Sequence, residues 1–558
     1  MTRLRQGTAA ANIVLLAGPV FACCLFLATQ PRADAPEKQV GPFADQVIRG
    51  LVRSDRGPLA GAVVRIQTTT RAATTDAEGR FSLLLAGMGA GPFNITAWAQ
   101  GYFSAGPVQA EAGRNDLEFQ LKAHATRDNP EYPWQPALCP PGHEPPGDCC
   151  SQCHSRVGAD LYPFLPVDEW VQDAHSQSAV NPRFRSMYTG DALQPSSASD
   201  SESNPRDTGP GYRLDFPQST GNCAACHVPA AAVHEPFGTD PTMISGVAME
   251  GVTCDVCHKI WDVRLDRTTG LPFEHLPGVL SYEFRRPMMG EQFFAGPLDD
   301  VAPGVDTFLP LQKQSRFCAP CHYGSFFGTV VYDSFGEWLT SPYGDPKHSS
   351  FKTCQDCHMP TGRTCYFTLP SKGGRRRDPA TVASHLMPGA SDRAHLRQAV
   401  AFELTASRTG TRIDVEVRVK NVGAGHRLPT GSPLRHILLL VEAEDGRGQA
   451  LELSRGARLP PWAGDLAGLA GSTYAKVLMD RASLEAPTAA FWNPTRILAD
   501  TRLAPGATDI THYSFVLSDQ RAVNVRARLI FRRTFQALAR VKGWKAADII
   551  MALASVTL

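Results

Sequence analysis

Ten of the fifteen cysteines fall into five copies of one spacing, Cys-x-x-Cys-His: Cys150/Cys153/His154, Cys223/Cys226/His227, Cys254/Cys257/His258, Cys318/Cys321/His322 and Cys354/Cys357/His358. With 15 Cys and 16 His in 558 residues, chance supplies this pattern about 0.01 times, so five copies are a repeat of chemistry. Two thiols three residues apart can form thioethers to the two vinyl groups of one haem, and the next residue then offers its imidazole to the iron as proximal ligand. Zinc is the bland alternative. A zinc ribbon takes four ligands from paired knuckles and has no use for a His after the second Cys of every pair. Cys-x-x-Cys pairs are also redox motifs and rarely structural disulfides. The reading is five covalent haem c groups.

Eleven of the 16 histidines lie outside the motifs. An iron with protein ligands on both faces transfers electrons, whereas an open face can bind and transform a small molecule. The leading outer ligands are His175, shortly after the first motif, His385, after the fifth, and His426, in the glycine-rich stretch NVGAGHRLPTG. His348, six residues before Cys354, and His234, seven after His227, are spaced to reach a neighbouring haem, although a loop histidine would look the same. His143, His275, His395 and His436 are held in reserve, and His124 and His512 read as structural. No Cys-x-x-Cys-Lys motif is present. Lys372 with Arg375, Arg376 and Arg377 reads as a solvated loop, with haem propionates or an acidic redox partner as the functional alternative.

Of the other cysteines, Cys23 and Cys24 fall in the N-terminal apolar run. Cys139 and Cys149 bracket CPPGHEPPGDC, where an oxidising compartment permits a disulfide. Cys365 reads as a small buried apolar residue.

The elements that must position these groups divide the chain. Length predicts two to four domains. Lys+Arg 55 against Asp+Glu 54 leaves no electrostatic case for a general nucleic-acid binder. Residues 1–35 carry Arg3 and Arg5 ahead of an apolar stretch from Thr8 to Ala28, an export signal or an N-terminal membrane anchor; lipid attachment at Cys23 ranks third, because Phe21 stands where a small residue is needed. Each places the body on the periplasmic or extracellular side of the cell envelope. Residues 46–122 alternate as short strands, VIRGLVRS, AGAVVRIQTTT, GRFSLLL, PFNITAWAQ and LEFQL, separated by Gly, Asp and Pro turns. Residues 129–397 hold all five motifs between Pro/Gly-rich connections, with short helices expected at each motif and around Val167 to His175. Residues 398–558 alternate again, predicting a second β-sandwich closed by a terminal helix, QALARVKGWKAADIIMALA. The fold class expected is multidomain: an irregular, mainly helical multihaem cytochrome domain flanked by two β-sandwich domains.

Two resemblances add to this. Gly50, Gly57-Pro58-Leu59-Ala60-Gly61-Ala62, Thr75-Asp76-x-x-Gly79-Arg80-Phe81 and Gly101-Tyr102 resemble the carboxypeptidase regulatory-like module, which implies a docking or spacer domain. The segments CCSQCHSRVGADLYPFLPVDEWVQDAHSQSAVNPRF, GVTCDVCHKI, CQDCHMP, SHLMPG and NVGAGHRLPTG resemble the cytochrome c-554-like group, related to hydroxylamine oxidoreductase and nitrite-reducing multihaem proteins. That likeness implies closely packed haem pairs, mostly with two His ligands each. The five motifs depart from the four of the short c-554 proteins and the eight of hydroxylamine oxidoreductase, so no catalysis carries over. The expected function is electron transfer between redox partners, either other cytochromes or a quinol-oxidising complex. The alternatives are an oxidoreductase acting on a small nitrogen or sulfur compound at one five-coordinate haem, and a subunit of an extracellular haem filament.

Overall fold

The computed structural model describes residues 46–558 apart from 90, 140–148, 157–163, 194–207, 302–303, 518–520 and 546. The apolar run Thr8 to Ala28, Cys23, Cys24 and His143 lie outside the described residues. Among the described residues no helix is long and apolar enough to cross a membrane.

Strands outweigh helices, 31% against 18%, which corrects the expectation of a mainly helical middle between two sandwiches. The physical reason lies in the connections. Between the motifs Pro and Gly recur every few residues, and described helices such as Pro166–Trp170, Tyr212–Asp215 and Pro229–Ala232 stop after about one turn. The intervening chain pairs into small β-elements instead: Ile260–Val263 antiparallel to Tyr282–Phe284, Phe294–Gly296 parallel to Asp306–Phe308, and Tyr323–Phe326 antiparallel to Thr329–Asp333. An apolar cluster including Ala224, Ala225, Val228, Val256, Ile260 and Leu311 gives this region a polypeptide core of its own.

The N-terminal module holds two four-stranded sheets. Alternation builds them: in Arg80–Leu84, Phe81 and Leu83 are buried while the residues beside them are exposed. Strand Leu117–Gln120 runs parallel to Val47–Ser54, and a Cβ on Gly50 would collide with the Leu117 carbonyl. The module is bonded to the middle region through two adjacent acids. Arg65 forks onto Asp299 at 2.7 and 2.8 Å. Asp300 accepts the Thr68 N–H at 2.7 Å and, on its far side, pairs with Arg377 at 2.9 Å. Arg377, placed above in a solvated basic loop, is therefore buried, with 4% of its side chain exposed.

The C-terminal sandwich pairs a four-stranded sheet with a five-stranded one. Its inner faces carry Ile413, Val415, Val417 and Val419 from Arg412–Asn421 against Ile437, Leu439 and Val441 from His436–Asp445. The expected terminal helix is short, Gln536–Val541, and ends beside Gly543 in the left-handed region, φ 63°. The last segment, Ile549–Thr557, is a strand antiparallel to Val523–Arg532. IIMALA fits either period; burial of Ile549 and Met551 against the sandwich core decides for the strand.

Candidate cofactor-binding site

Each motif folds as one tight turn. Cys150 and Cys223 cap the helices Ser151–His154 and Ala224–His227, while Cys254–Lys259 and Cys354–His358 begin on the first cysteine. Their N-caps are Thr253, which accepts Val256 N–H, and Thr353, which accepts Asp356 N–H. The fourth motif makes the same turn without a regular helix, His322 N–H donating to Cys318 O at 3.2 Å. A helical turn puts residues i, i+3 and i+4 on one face, so both thiols and the imidazole of each motif point the same way.

Four of the five motif histidines have their Nδ1 fixed by a main-chain oxygen: His154 by Phe367 at 2.6 Å, His227 by Ser178 at 3.2 Å, His258 by Ala295 at 2.7 Å and His358 by Pro388 at 2.7 Å. A carbonyl accepts only, so Nδ1 carries the proton and the lone pair sits on Nε2, the tautomer a metal-ligating histidine needs. Burial depresses the basicity of all five, to about 4 at His227 and about 3 at His322, where His175 and His358 add to the effect. These rings keep part of their surface accessible even so, as side chains lining crevices within the fold do.

Two of the three leading outer candidates face a motif histidine. His175 and His322 have ring centroids 6.0 Å apart. His426 and His358 are 6.4 Å apart with planes inclined by 15°. Two imidazoles bound through Nε2 to a single metal at about 2 Å each place their centroids about 6 Å apart, a separation both pairs match, the His175 and His322 planes being inclined by 71°. His385 lies within electrostatic reach of both His258 and His154, and burial holds its basicity down to about 4. Its Nδ1 is buried without a partner. At His426 burial and then His358 have the same effect, again to about 4. His175 is the exception: burial opposes its protonation, but the hydrogen bond and charge of Asp173 outweigh that and raise its basicity.

The motifs meet out of chain order. The sulfurs of Cys150 and Cys254, of Cys226 and Cys321, and of Cys318 and Cys354 lie close enough to shift one another's ionisation. The first motif thus touches the third, the second the fourth, and the fourth the fifth.

Cys153 and Cys150 are both cofactor-binding cysteines of the first motif, and the structure gives them different surroundings. Among the described residues no hydrogen bond joins the Cys153 thiol to another motif; the first motif reaches the third through Cys150 alone. Cys153 is held by its main chain instead. Its N–H donates to Cys150 O at 3.2 Å, and its carbonyl accepts the Leu369 N–H at 2.9 Å. The physical reason is the neighbouring segment: Phe367, whose oxygen fixes His154, lies two residues before Leu369, so residues 367–369 cover the Cys153 side of the turn. The thiol is partly accessible and free, and its place in the set rests on the turn and the motif spacing.

The remaining histidines separate by environment. His234 and His348 are exposed, and His348 Nδ1 accepts the Ser350 N–H of its own turn at 3.1 Å, so neither is presented to a motif histidine as His175 and His426 are. His275 is also exposed. His395 stands beside His358 at 5.1 Å, tilted by 51°. His124 is caged by Phe103, Trp261 and Phe293, and His436 stacks on Phe535 at 4.9 Å. Cys139 and Cys149 form a disulfide, and Cys365 is buried.

Sequence reasoning missed three acids. Asp173 Oδ1 accepts His175 Nδ1–H at 2.6 Å. Buried Glu169 accepts the His385 N–H at 2.7 Å. Glu337 accepts the N–H of Arg427, the neighbour of His426, at 3.1 Å. Asp173 was findable, two residues from its histidine; the other two act across about 90 residues or more and leave no local signal.

Comparison with known proteins gives the following. Residues 47–122 match the carboxypeptidase regulatory-like domain model. No curated protein matches the chain. A penta-heme cytochrome c552 from Thermochromatium tepidum is similar at 20% identity and a TM-score of 0.49, over 70% of this chain and 96% of that one. A type II cohesin–X-dockerin complex from Acetivibrio cellulolyticus, an N-terminal interface mutant, is similar over 14% of this chain and 58% of that one, at 19% identity and a TM-score of 0.13. What the comparisons identify is one module, the carboxypeptidase regulatory-like segment at residues 47–122.

Proposed function

We propose that the chain is an exported pentahaem c-type cytochrome that passes electrons between redox partners. Cys150/Cys153, Cys223/Cys226, Cys254/Cys257, Cys318/Cys321 and Cys354/Cys357 hold one haem each, with His154, His227, His258, His322 and His358 as proximal ligands. The observation that carries the reading is the pair of opposed imidazoles, His175 with His322 and His426 with His358, at 6.0 and 6.4 Å. Bound haem supplies a one-electron Fe(III)/Fe(II) couple. His175 and His426 would hold the second face of two of these irons, main-chain oxygens fix the ring tautomers of four motif histidines, and the motif segments lie close enough for neighbouring centres to interact. His385, within electrostatic reach of both His258 and His154, serves the first or third motif. The two sandwiches act as docking modules toward other cytochromes or a quinol-oxidising complex, and the C-terminal one also delivers His426.

A second reading, small-molecule chemistry at one open iron, is favoured at the second motif. Among the described residues no histidine ring is recorded in contact with His227, whose face is covered by Phe184 at 3.9 Å. Carbon monoxide separates the two. Electron transfer alone expects every reduced iron low-spin and closed to the gas, whereas one open site that survives in the wild-type protein and binds a small nitrogen or sulfur compound would replace the first reading.

A further inference from the structure

Asp173 is 5% exposed and has no arginine or lysine partner among the described residues. Its Oδ1 takes both the His175 Nδ1–H, at 2.6 Å, and the His175 main-chain N–H, at 2.8 Å. The turn that carries it is pinned independently: Trp170 Nε1–H donates to Val252 O at 2.9 Å, and Val252 N–H donates to His175 O at 3.0 Å. Where partners are resolved at the motif histidines, Nδ1 donates to a neutral carbonyl. His175 donates to a carboxylate.

We propose that Asp173 is a positioning and tuning residue that makes His175 the strongest-donating axial imidazole of the molecule and so lowers the reduction potential of the iron held between His175 and His322. This rests on the haem-binding reading of that pair and deepens it. A carboxylate on the remote ring nitrogen draws the shared proton toward itself, raises electron density at Nε2 and strengthens the ligand's hold on the more positive oxidation state. Reduction adds one electron to Fe(III) to give Fe(II). No bond to hydrogen is made or broken, because the proton stays between Nδ1 and Oδ1. A fixed anionic side chain acts in the same direction on its neighbours, and His322, His358, His385 and Cys257 all lie within its electrostatic reach, more weakly than through the direct bond.

Asp173→Asn separates charge from shape. The amide oxygen still accepts both N–H groups, and the pinned turn is untouched. In the matured full chain the variant should keep five haem additions by mass and stay low-spin. One reductive transition should move to higher potential in a spectroelectrochemical titration, and the electron paramagnetic resonance of one low-spin centre should shift its g values. Asp173→Glu, which restores the charge, should recover part of both changes. If all transitions and g values stay put in Asp173→Asn while His175→Ala converts one centre to high spin, Asp173 merely shapes the turn and the proposal is wrong. If His175→Ala also leaves every centre low-spin, the pairing of His175 with His322 is what has failed, and the tuning role falls with it.

Discussion

Changing Glu337 to Gln should loosen the outer ligand of one iron while leaving the attachment of its haem intact. Glu337 sits in helix Ser334–Leu339 with 6% of its side chain exposed. Oε1 accepts from Arg502 Nη1 at 2.6 Å; Oε2 accepts from Thr430 Oγ1 at 2.8 Å and Arg427 N–H at 3.1 Å. The carboxylate therefore ties down both ends of Arg427–Thr430, the loop that follows His426. Removing one partner of a buried ion pair costs about 3–5 kcal/mol. Here Arg502 retains Asp500 at 2.8 Å and Gln still offers an acceptor, so about 2 kcal/mol remains. Placed on the loop, that moves the equilibrium between bound and swung-out His426 about thirty-fold. Because carbon monoxide can occupy that iron only when the imidazole has left, its affinity at one site of the reduced protein should rise by the same factor. Unchanged carbon monoxide binding in a variant whose stability has fallen by the full amount would refute the reasoning, since Glu337 would then support the fold without holding the ligand.

Three further outcomes rest on other contacts. His426→Ala should retain five haems by mass but produce one high-spin, ligand-accessible iron; if all irons stay low-spin, His426 is a loop histidine. Arg377→Met leaves Asp300 buried and unpaired and should cost about 3–5 kcal/mol of local stability, seen as faster hydrogen exchange in strand Val63–Ile66; unchanged exchange there would show that the pair does not brace the N-terminal module. Lys542 is fully buried, with Nζ donating to Ser186 O and Gly190 O, and burial holds its ammonium down from 10.5 to about 8. Between these values the unfolded chain carries the extra proton, so stability should rise with pH by up to about 3 kcal/mol above pH 8 and stay level below it; Lys542→Met should lose that rise, and an identical pH profile for the two proteins would contradict it.

The chemistry of this chain is written locally and its assembly is not. The cysteine spacing is what points to the proposed cofactor, because thioether attachment with its proximal ligand spans only five residues. Strands such as Arg412–Asn421 are equally plain, since RIDVEVRVKN alternates over its whole length. Which motif touches which was not legible: the contact of Cys226 with Cys321 joins residues 95 apart in sequence, and nothing in either motif encodes it. Nor does the spacing tell Cys150, which meets the third motif, from Cys153, whose tie is to Leu369 through the main chain. Arg377 looked like one of several loop cations because its partner, Asp300, lies 77 residues away. The mainly helical expectation failed because Cys-x-x-Cys-His demands only one turn, and Pro and Gly then end it. The terminal helix failed because a run of apolar residues carries no period of its own, and packing against Val523–Arg532 chose the strand.

The central claim is covalent attachment, and the intact mass of the matured protein measures it most directly. Five haem additions per chain, with all ten motif cysteines blocked to alkylation, is the predicted result. Four or fewer additions, or free thiols at any of the five Cys-x-x-Cys pairs in fully matured protein, would contradict it.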